Sequence, residues 1–412
     1  MTMRVRAVLM VMVALAMMGL AGCDHYNCTS GANFGSSSCT AGGGGSTNNG
    51  QTALVYFAGG ADELALGGLN VAGSGAFEPV SSFVSPSLPT GVVGMATVNQ
   101  LYLYVALANE TVDGFSIDAT TGALTALTNS PYTVGALGSV NSVAADPTGR
   151  FLFVAGLGGV SVFSVNSTNG ELTLTNGSPS STGNVVLEQM ATDGLGKYLY
   201  GVQSFPGTEV VAFSYDSTGT LTAVPGSPFV STGSANFNMA EIAGESSGKY
   251  MIGITEEIGQ GGGIIDNHLY VFGISQTAGS AGALAPVAGS PFLTTNSPMY
   301  MTVSPNGSFV YTFNQEFASG SNTGTIDPME GYLLDSSTGA LTALTTSFTG
   351  LNATIGRFDQ SGQYLFATAI GPQNVGETFA YGADTSTGAL SNTLTSSVGA
   401  PTADFVVTDV VP

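Results

Sequence analysis

Past residue 50, apolar residues recur in short runs with a period near two, separated by glycine turns, and no stretch shows the three-to-four spacing of a helix. Val160-Ser161-Val162-Phe163-Ser164-Val165 and Val210-Val211-Ala212-Phe213-Ser214-Tyr215 alternate as strands do. Denser apolar and β-branched runs precede them and read as central strands: Phe151-Leu152-Phe153-Val154, Tyr198-Leu199-Tyr200 and Phe309-Val310-Tyr311. A more polar strand follows each alternating run, as in Leu221-Thr222-Ala223-Val224. It ends at Gly226-Ser227-Pro228-Phe229, a terminator repeated at Gly289-Ser290-Pro291-Phe292 and, degraded, at Gly177-Ser178-Pro179.

Two turns punctuate this order. One precedes the central strand, as in Asp146-Pro147-Thr148-Gly149, Asp193-Gly194-Leu195-Gly196, Glu245-Ser246-Ser247-Gly248, Ser304-Pro305-Asn306-Gly307 and Asp359-Gln360-Ser361-Gly362. These are type I signatures, with a capping oxygen first and a glycine able to take positive φ last. The other, of form Thr-Gly-x-Leu, has its glycine at 122, 170, 219, 282, 339 and 388, and a weaker copy at Gly75-Ala76-Phe77 opens the series. Successive spacings are 47, 48, 49, 63, 57 and 49, so there are seven units of four short strands. That length and strand count predict an all-β fold, a seven-bladed β-propeller with four antiparallel strands per blade. Leu54-Val55-Tyr56-Phe57 matches a second strand, and Phe405-Val406-Val407-Thr408-Asp409 matches an innermost one. Joining them would complete blade one, so the C-terminal strand is expected to close the ring.

The first fifty residues follow a different pattern. Arg4 and Arg6 precede an uncharged apolar run from Ala7 to Leu20, too short to span a bilayer and ending in Leu20-Ala21-Gly22-Cys23. This reads as a signal peptide over residues 1–22, followed by a Ser/Gly/Asn-rich tether over 23–51 and the propeller over 52–412. Cys28 and Cys39 lie in the tether; in an oxidising compartment they either pair or stay as free thiols. With His25 alone beside them they make no zinc site.

Charge narrows the function classes. Removing the signal leaves 4 basic residues against 27 acidic ones, a net charge of −23. Such a chain repels polyanions, which excludes nucleic-acid binding through a basic face and attraction to anionic headgroups. Arg150, Lys197 and Lys249 each follow a repeat glycine and read as scaffold, their stems covering the blade edge. Arg357 falls out of that register: counted back from Asp359, it stands where other blades carry Ala144, Ala191, Ala243 and Thr302 on an innermost strand. That makes Arg357 the leading catalytic candidate. Glu188 and Glu241 also fall on innermost strands, each able to act as base or to pair with Arg357. A structural ion pair or a solvated channel charge is the alternative reading.

Extra length in units four to seven falls between the second and third strands, at 204–207, 256–268, 314–330 and 371–377. All such loops leave one face of a propeller, so the binding face is expected at that rim, with Glu256, Asp266, His268, Glu316, Asp327 and Glu330 near it. Glu256, Glu257 and Asp266 beside His268 would supply oxygens for a cation, but Gln260-Gly261-Gly262-Gly263 reads first as a solvated loop, and no metal or other cofactor is expected.

Two resemblances add to this. Leu20-Ala21-Gly22-Cys23 resembles the bacterial lipobox, which implies lipidation of Cys23 and anchoring in the cell envelope, periplasmic or surface-exposed, with the membrane as partner through that lipid; the chain is expected to act as a monomer. The Asp-Pro-x-Gly-Arg-Phe-Leu-Phe-Val segment at 146–154, the Val-Phe-Ser-Val segment leading to Gly-x-Leu-Thr, and Gly-Ser-Pro-Phe resemble the lactonase-type seven-bladed propeller family related to 6-phosphogluconolactonase. The likeness runs from about residue 52 to the end and implies opening of a lactone ring by polar side chains near the channel, without a metal. Such chemistry needs a base for water and donors for the oxyanion, and a sugar phosphate would need several cations. Two expectations stand: a lactonase-like hydrolase of a neutral cyclic ester, or a non-catalytic propeller that binds a glycan, peptide or envelope protein through its loop-rich face.

Overall fold

A computed structural model describes residues 53–58, 64–70, 76–80, 82–88, 91–183, 185–203, 209–230, 237–257, 268–296, 298–317, 324–345, 353, 355–370, 376–391, 397–399 and 404–409. The signal segment, His25, Cys23, Cys28 and Cys39 therefore lie outside the described residues.

Seven antiparallel sheets follow one another, and in six of them the strands run from the innermost outward in chain order. Blades 2 to 7 begin with the innermost strands Val92–Val98, Ser142–Ala145, Leu187–Thr192, Phe237–Gly244, Pro298–Val303 and Ile355–Phe358. Blade 1 takes its innermost strand from the far end of the sequence: Asp404–Asp409 pairs antiparallel with Ala53–Ala58, from Ala53 opposite Asp409 to Ala58 opposite Asp404. Each innermost strand packs against the next around the ring, and that of blade 1 touches those of blades 7 and 2. The ring is thus closed by the C-terminal strand, as the orphan strands in the sequence require.

The dense apolar runs are the second strands, and their density follows from burial on both sides. In Tyr102–Leu107, residues Leu103, Val105 and Leu107 enter the core shared with blade 1, while Tyr102, Tyr104 and Ala106 enter the core shared with blade 3. Each fully buried Leu, Val or Phe contributes about 1.5–3 kcal/mol over its exposed state. No helical layer is needed, because neighbouring blades cover each other's faces.

Blades are also stitched by hydrogen bonds. The hydroxyls of Tyr56, Tyr104, Tyr200 and Tyr311 donate to the carbonyls of Gly122, Gly170, Gly282 and Gly388, at 2.6 to 2.8 Å. Each bond joins a second strand to the Thr-Gly-x-Leu-type turn of the following blade. Burial pushes all four phenols far above the usual tyrosine range. Gly170 shows why that turn keeps glycine: its φ is +72°, and a Cβ there would lie 2.3 Å from the Tyr102 ring.

The Gly-Ser-Pro-Phe segment does not end the outer strand, as its sequence suggests, but kinks it. Beyond the cis Ser-Pro bonds at 130–131, 227–228 and 290–291, the residues Tyr132–Thr133, Phe229–Val230 and Phe292–Leu293 pair again with the third strand. The kink leaves a third-strand N–H without its ladder partner, and the serine hydroxyl accepts it: Gly114, Ala212 and Val271 donate to Ser130, Ser227 and Ser290 at 2.9 to 3.0 Å.

The chain direction assigns every connection to a rim. Turns from innermost to second strand and from third to fourth share one edge, here the hairpin rim. Loops from second to third strand and the crossovers between blades share the other, the loop rim.

Candidate functional site

The extra length of units four to seven falls between Tyr198–Gln203 and Glu209–Tyr215, Tyr250–Glu257 and His268–Ile274, Phe309–Phe317 and Gly324–Leu334, and Tyr364–Ile370 and Gly376–Ala383. These are second-to-third-strand connections on four consecutive blades, so all four emerge at the loop rim, as expected. Asp266 lies outside the described residues, as do the side chains of Glu256, Glu316 and Asp327, although their strands are described.

His268 opens the third strand of blade 5, half-buried, opposite Leu293 and with its ring 6.4 Å from that of Tyr270. Glu330 is half-buried in the third strand of blade 6. Its carboxylate accepts from the Asn296 amide at 2.9 Å and the Thr295 amide at 3.2 Å, and from the Tyr332 hydroxyl. Glu330 thus fastens the crossover from blade 5 to blade 6, and burial together with that carboxylate pushes the Tyr332 phenol up.

On the innermost strands, the register puts Arg357 opposite Phe366. The equivalent positions are Ala96, Ala144, Ala191, Ala243, Thr302 and Val406, opposite Tyr104, Phe153, Tyr200, Ile252, Tyr311 and Tyr56. An arginine therefore does replace a small or apolar residue at this ring position. It is half-buried, and its Nη1 donates to the Gly356 carbonyl at 3.0 Å. Lying two residues before the Asp359 turn, it sits toward the hairpin rim, the opposite end from the insertions.

Two residues before that position runs an inter-blade clamp. The Ser142 hydroxyl accepts from the Met190 amide at 3.2 Å; Gln189 exchanges two 3.0 Å bonds with the backbone of Ile242; and Glu241 Oε2 accepts from the Met301 amide at 2.9 Å. Blades 3 to 6 are joined through these side chains, and the Glu241 carboxylate is occupied in that work.

Glu188 differs by one residue. The register of its strand skips between Leu187 and Gln189, so Glu188 is the extra residue of a β-bulge. Bulges re-aim the inserted side chain. Glu188 is half-buried at the loop-rim end of the strand, and among the described residues its carboxylate makes no hydrogen bond or ion pair. Glu188 and Glu241 stand on adjacent blades, whereas Arg357 lies three blades from Glu188.

The remaining cations are scaffold, at the hairpin rim. Arg150 pairs with Asp146 at 2.9 Å, donates to Gly196 of the next blade at 2.7 Å and lies over the Phe151 and Tyr215 rings. Lys249 donates to the Ser336 carbonyl at 3.2 Å. The four insertions contain no lysine or arginine.

One buried carboxylate escaped the sequence reading. Asp113, on the third strand of blade 2, is 7% exposed, and its Oδ1 has no hydrogen-bond partner. It holds the register of Ser161 and Glu330, which bond the incoming crossover. Burial raises its pKa above the ordinary aspartate value. Because the folded state then binds the proton more tightly than the unfolded one, stability is lost as pH rises from the unfolded value through the folded one. Asp113→Asn should accordingly raise the unfolding temperature at pH 7 by roughly 2 °C or more. The gain should vanish in melts below pH 4, and an equal gain at both pH values would disprove the ionic cause.

Neither a family model nor a curated protein matches this sequence. Solved structures do. A Bacteroides fragilis protein provisionally assigned as a 6-phosphogluconolactonase is 16% identical, with a TM-score of 0.60 over 88% of this chain and 99% of its own. The Pseudomonas aeruginosa periplasmic gluconolactonase is 16% identical, with a TM-score of 0.59 over 87% of this chain and 99% of its own. A Lactobacillus plantarum protein reaches a TM-score of 0.61 at 14% identity, over 87% and 99%. At these identities the likeness is one of fold: the chain has the seven-bladed propeller architecture of the lactonase-type structures.

Proposed function

We propose that this protein is a cell-envelope lactonase-like hydrolase that opens a neutral cyclic ester at the loop rim, with Glu188 as general base. The observation that carries this reading is the uncommitted Glu188 carboxylate, re-aimed by a bulge at the loop-rim end of an innermost strand. A carboxylate there can take the proton from a water attacking the ester carbonyl. Arg357, at the other end of the strand ring, has no part in that step. The insertions offer no Lys or Arg for a phosphate, which favours an uncharged substrate. The signal-like segment and Cys23 support export and lipid anchoring, and one fold neighbour is a periplasmic gluconolactonase.

A non-catalytic propeller that binds a glycan, peptide or envelope protein through the same rim is the second reading. It is favoured by the use of Glu241 as a clamp, which leaves a single uncommitted carboxylate among the three inner-strand candidates. A titrimetric assay on neutral and phosphorylated lactones, at a pH where spontaneous opening is slow, separates the two. Saturable turnover of a neutral lactone with none of a phosphorylated one is expected. No turnover of any lactone would leave the binding reading.

A further inference from the structure

At the hairpin rim, the turns between innermost and second strands touch in succession from blade 2 to blade 7. A Cβ on Gly149 would lie 2.2 Å from Asn99 Oδ1, one on Gly196 2.4 Å from Asp146 Oδ1, and one on Gly248 2.7 Å from Leu195 Cγ. One on Gly307 would lie 2.8 Å from Ser246 Oγ, and one on Gly362 3.3 Å from Pro305 Cδ. Each glycine rests on the turn of the preceding blade. Blade 1 has no such turn, because its innermost strand, Asp404–Asp409, and its second strand, Ala53–Ala58, are not consecutive in the chain.

The collar closes nevertheless. The Gln100 side-chain amide, in the turn of blade 2, donates to the Gln360 side-chain oxygen in the turn of blade 7, across blade 1. The blade 2 turn is also built differently. Val98 to Leu101 is a two-residue hairpin closed by a 3.1 Å bond from the Leu101 amide to the Val98 carbonyl, with Asn99 at φ 51° and Gln100 at φ 59°. Such a turn prefers Asn followed by Gly, and a glutamine at the second position is unfavourable. The unfavourable residue stands at the blade next to the chain break, and its side chain is the one that crosses it. Local strain of this kind persists where something else depends on it.

We infer that Gln100 and Gln360 form the keystone of this collar, a latch that holds blades 2 and 7 together across blade 1 and keeps its annealed innermost strand seated. Gln100→Gly is the informative variant, because it gives the turn its preferred residue while removing the reach. Hydrogen exchange on the full protein should then quicken about fivefold at the seam amides of Ala53–Ala58 and Asp404–Asp409, the equivalent of one net hydrogen bond. Exchange in Tyr198–Gln203 of blade 4 should not change. Gln360→Ala should produce the same effect, and the double variant no more than either single one. Seam exchange that stays the same or slows in Gln100→Gly, exchange that quickens equally in blade 4, or single effects that multiply in the double variant would each overturn the latch.

Discussion

Deleting residues 402 to 412 should abolish cooperative folding or lower the unfolding temperature by roughly 10 °C or more, and should render the protein prone to aggregation. The segment holds the six-residue innermost strand of blade 1, paired along its whole length with Ala53–Ala58. Its loss would leave Ala53–Ala58, now buried on every residue, as an open edge with unpaired N–H and C=O groups facing the channel. The contacts that carry ring closure to blades 7 and 2 would go with it. A disordered tail of eleven residues could be trimmed at almost no cost, so the two cases are far apart. Adding the missing segment back as a synthetic peptide should recover part of the lost stability. A truncated protein that melts and stays soluble as the full chain does would refute closure by this strand.

Closure was legible in the sequence because repeats allow counting. Leu54-Val55-Tyr56-Phe57 sits in the register of a second strand and Phe405 to Asp409 in that of a first strand, and the two complete one blade. The placing of Arg357 on an innermost strand, level with Ala144, Ala191, Ala243 and Thr302, came from the same counting. Chain direction adds that a residue two before that turn lies at the hairpin rim, the rim opposite the long loops. The kink at Gly-Ser-Pro-Phe was misread, since proline and glycine signal a break equally well whether a strand ends or resumes. The fastenings were less legible. Ser142, Gln189 and Glu241 share one task with three chemistries, so no repeated residue marks the position. Asp113 looked like any polar residue on an alternating strand, although it faces a buried seam.

The difference between Glu188 and Glu241 was present in the sequence as a single residue. Glu241 lies four before the turn residue Glu245, whereas Glu188 lies five before Asp193. Both strands bulge at the residue five before the turn, Glu188 in blade 4 and Ala240 in blade 5, so Glu188 stands in the bulge while Glu241, like Gln189, stands one residue later and closes the clamp. Two inner-strand glutamates of equal appearance are thereby given different work. Glu330 proved to be a fastener of the crossover, which its position alone does not reveal.

The most direct test of the proposed base is the turnover of a neutral lactone by Glu188→Gln, measured beside Glu241→Gln and the wild-type protein. Removing a general base costs about 10²- to 10⁴-fold, and the isosteric amide keeps the bulge, so Glu188→Gln should lose that much in kcat with its melting temperature unchanged. Glu241→Gln can still accept the Met301 amide through its carbonyl oxygen, so it should retain turnover within about threefold, the context scatter of a single hydrogen bond. If Glu188→Gln turns over the lactone as the wild type does, Glu188 is not the base and the loop-rim assignment fails.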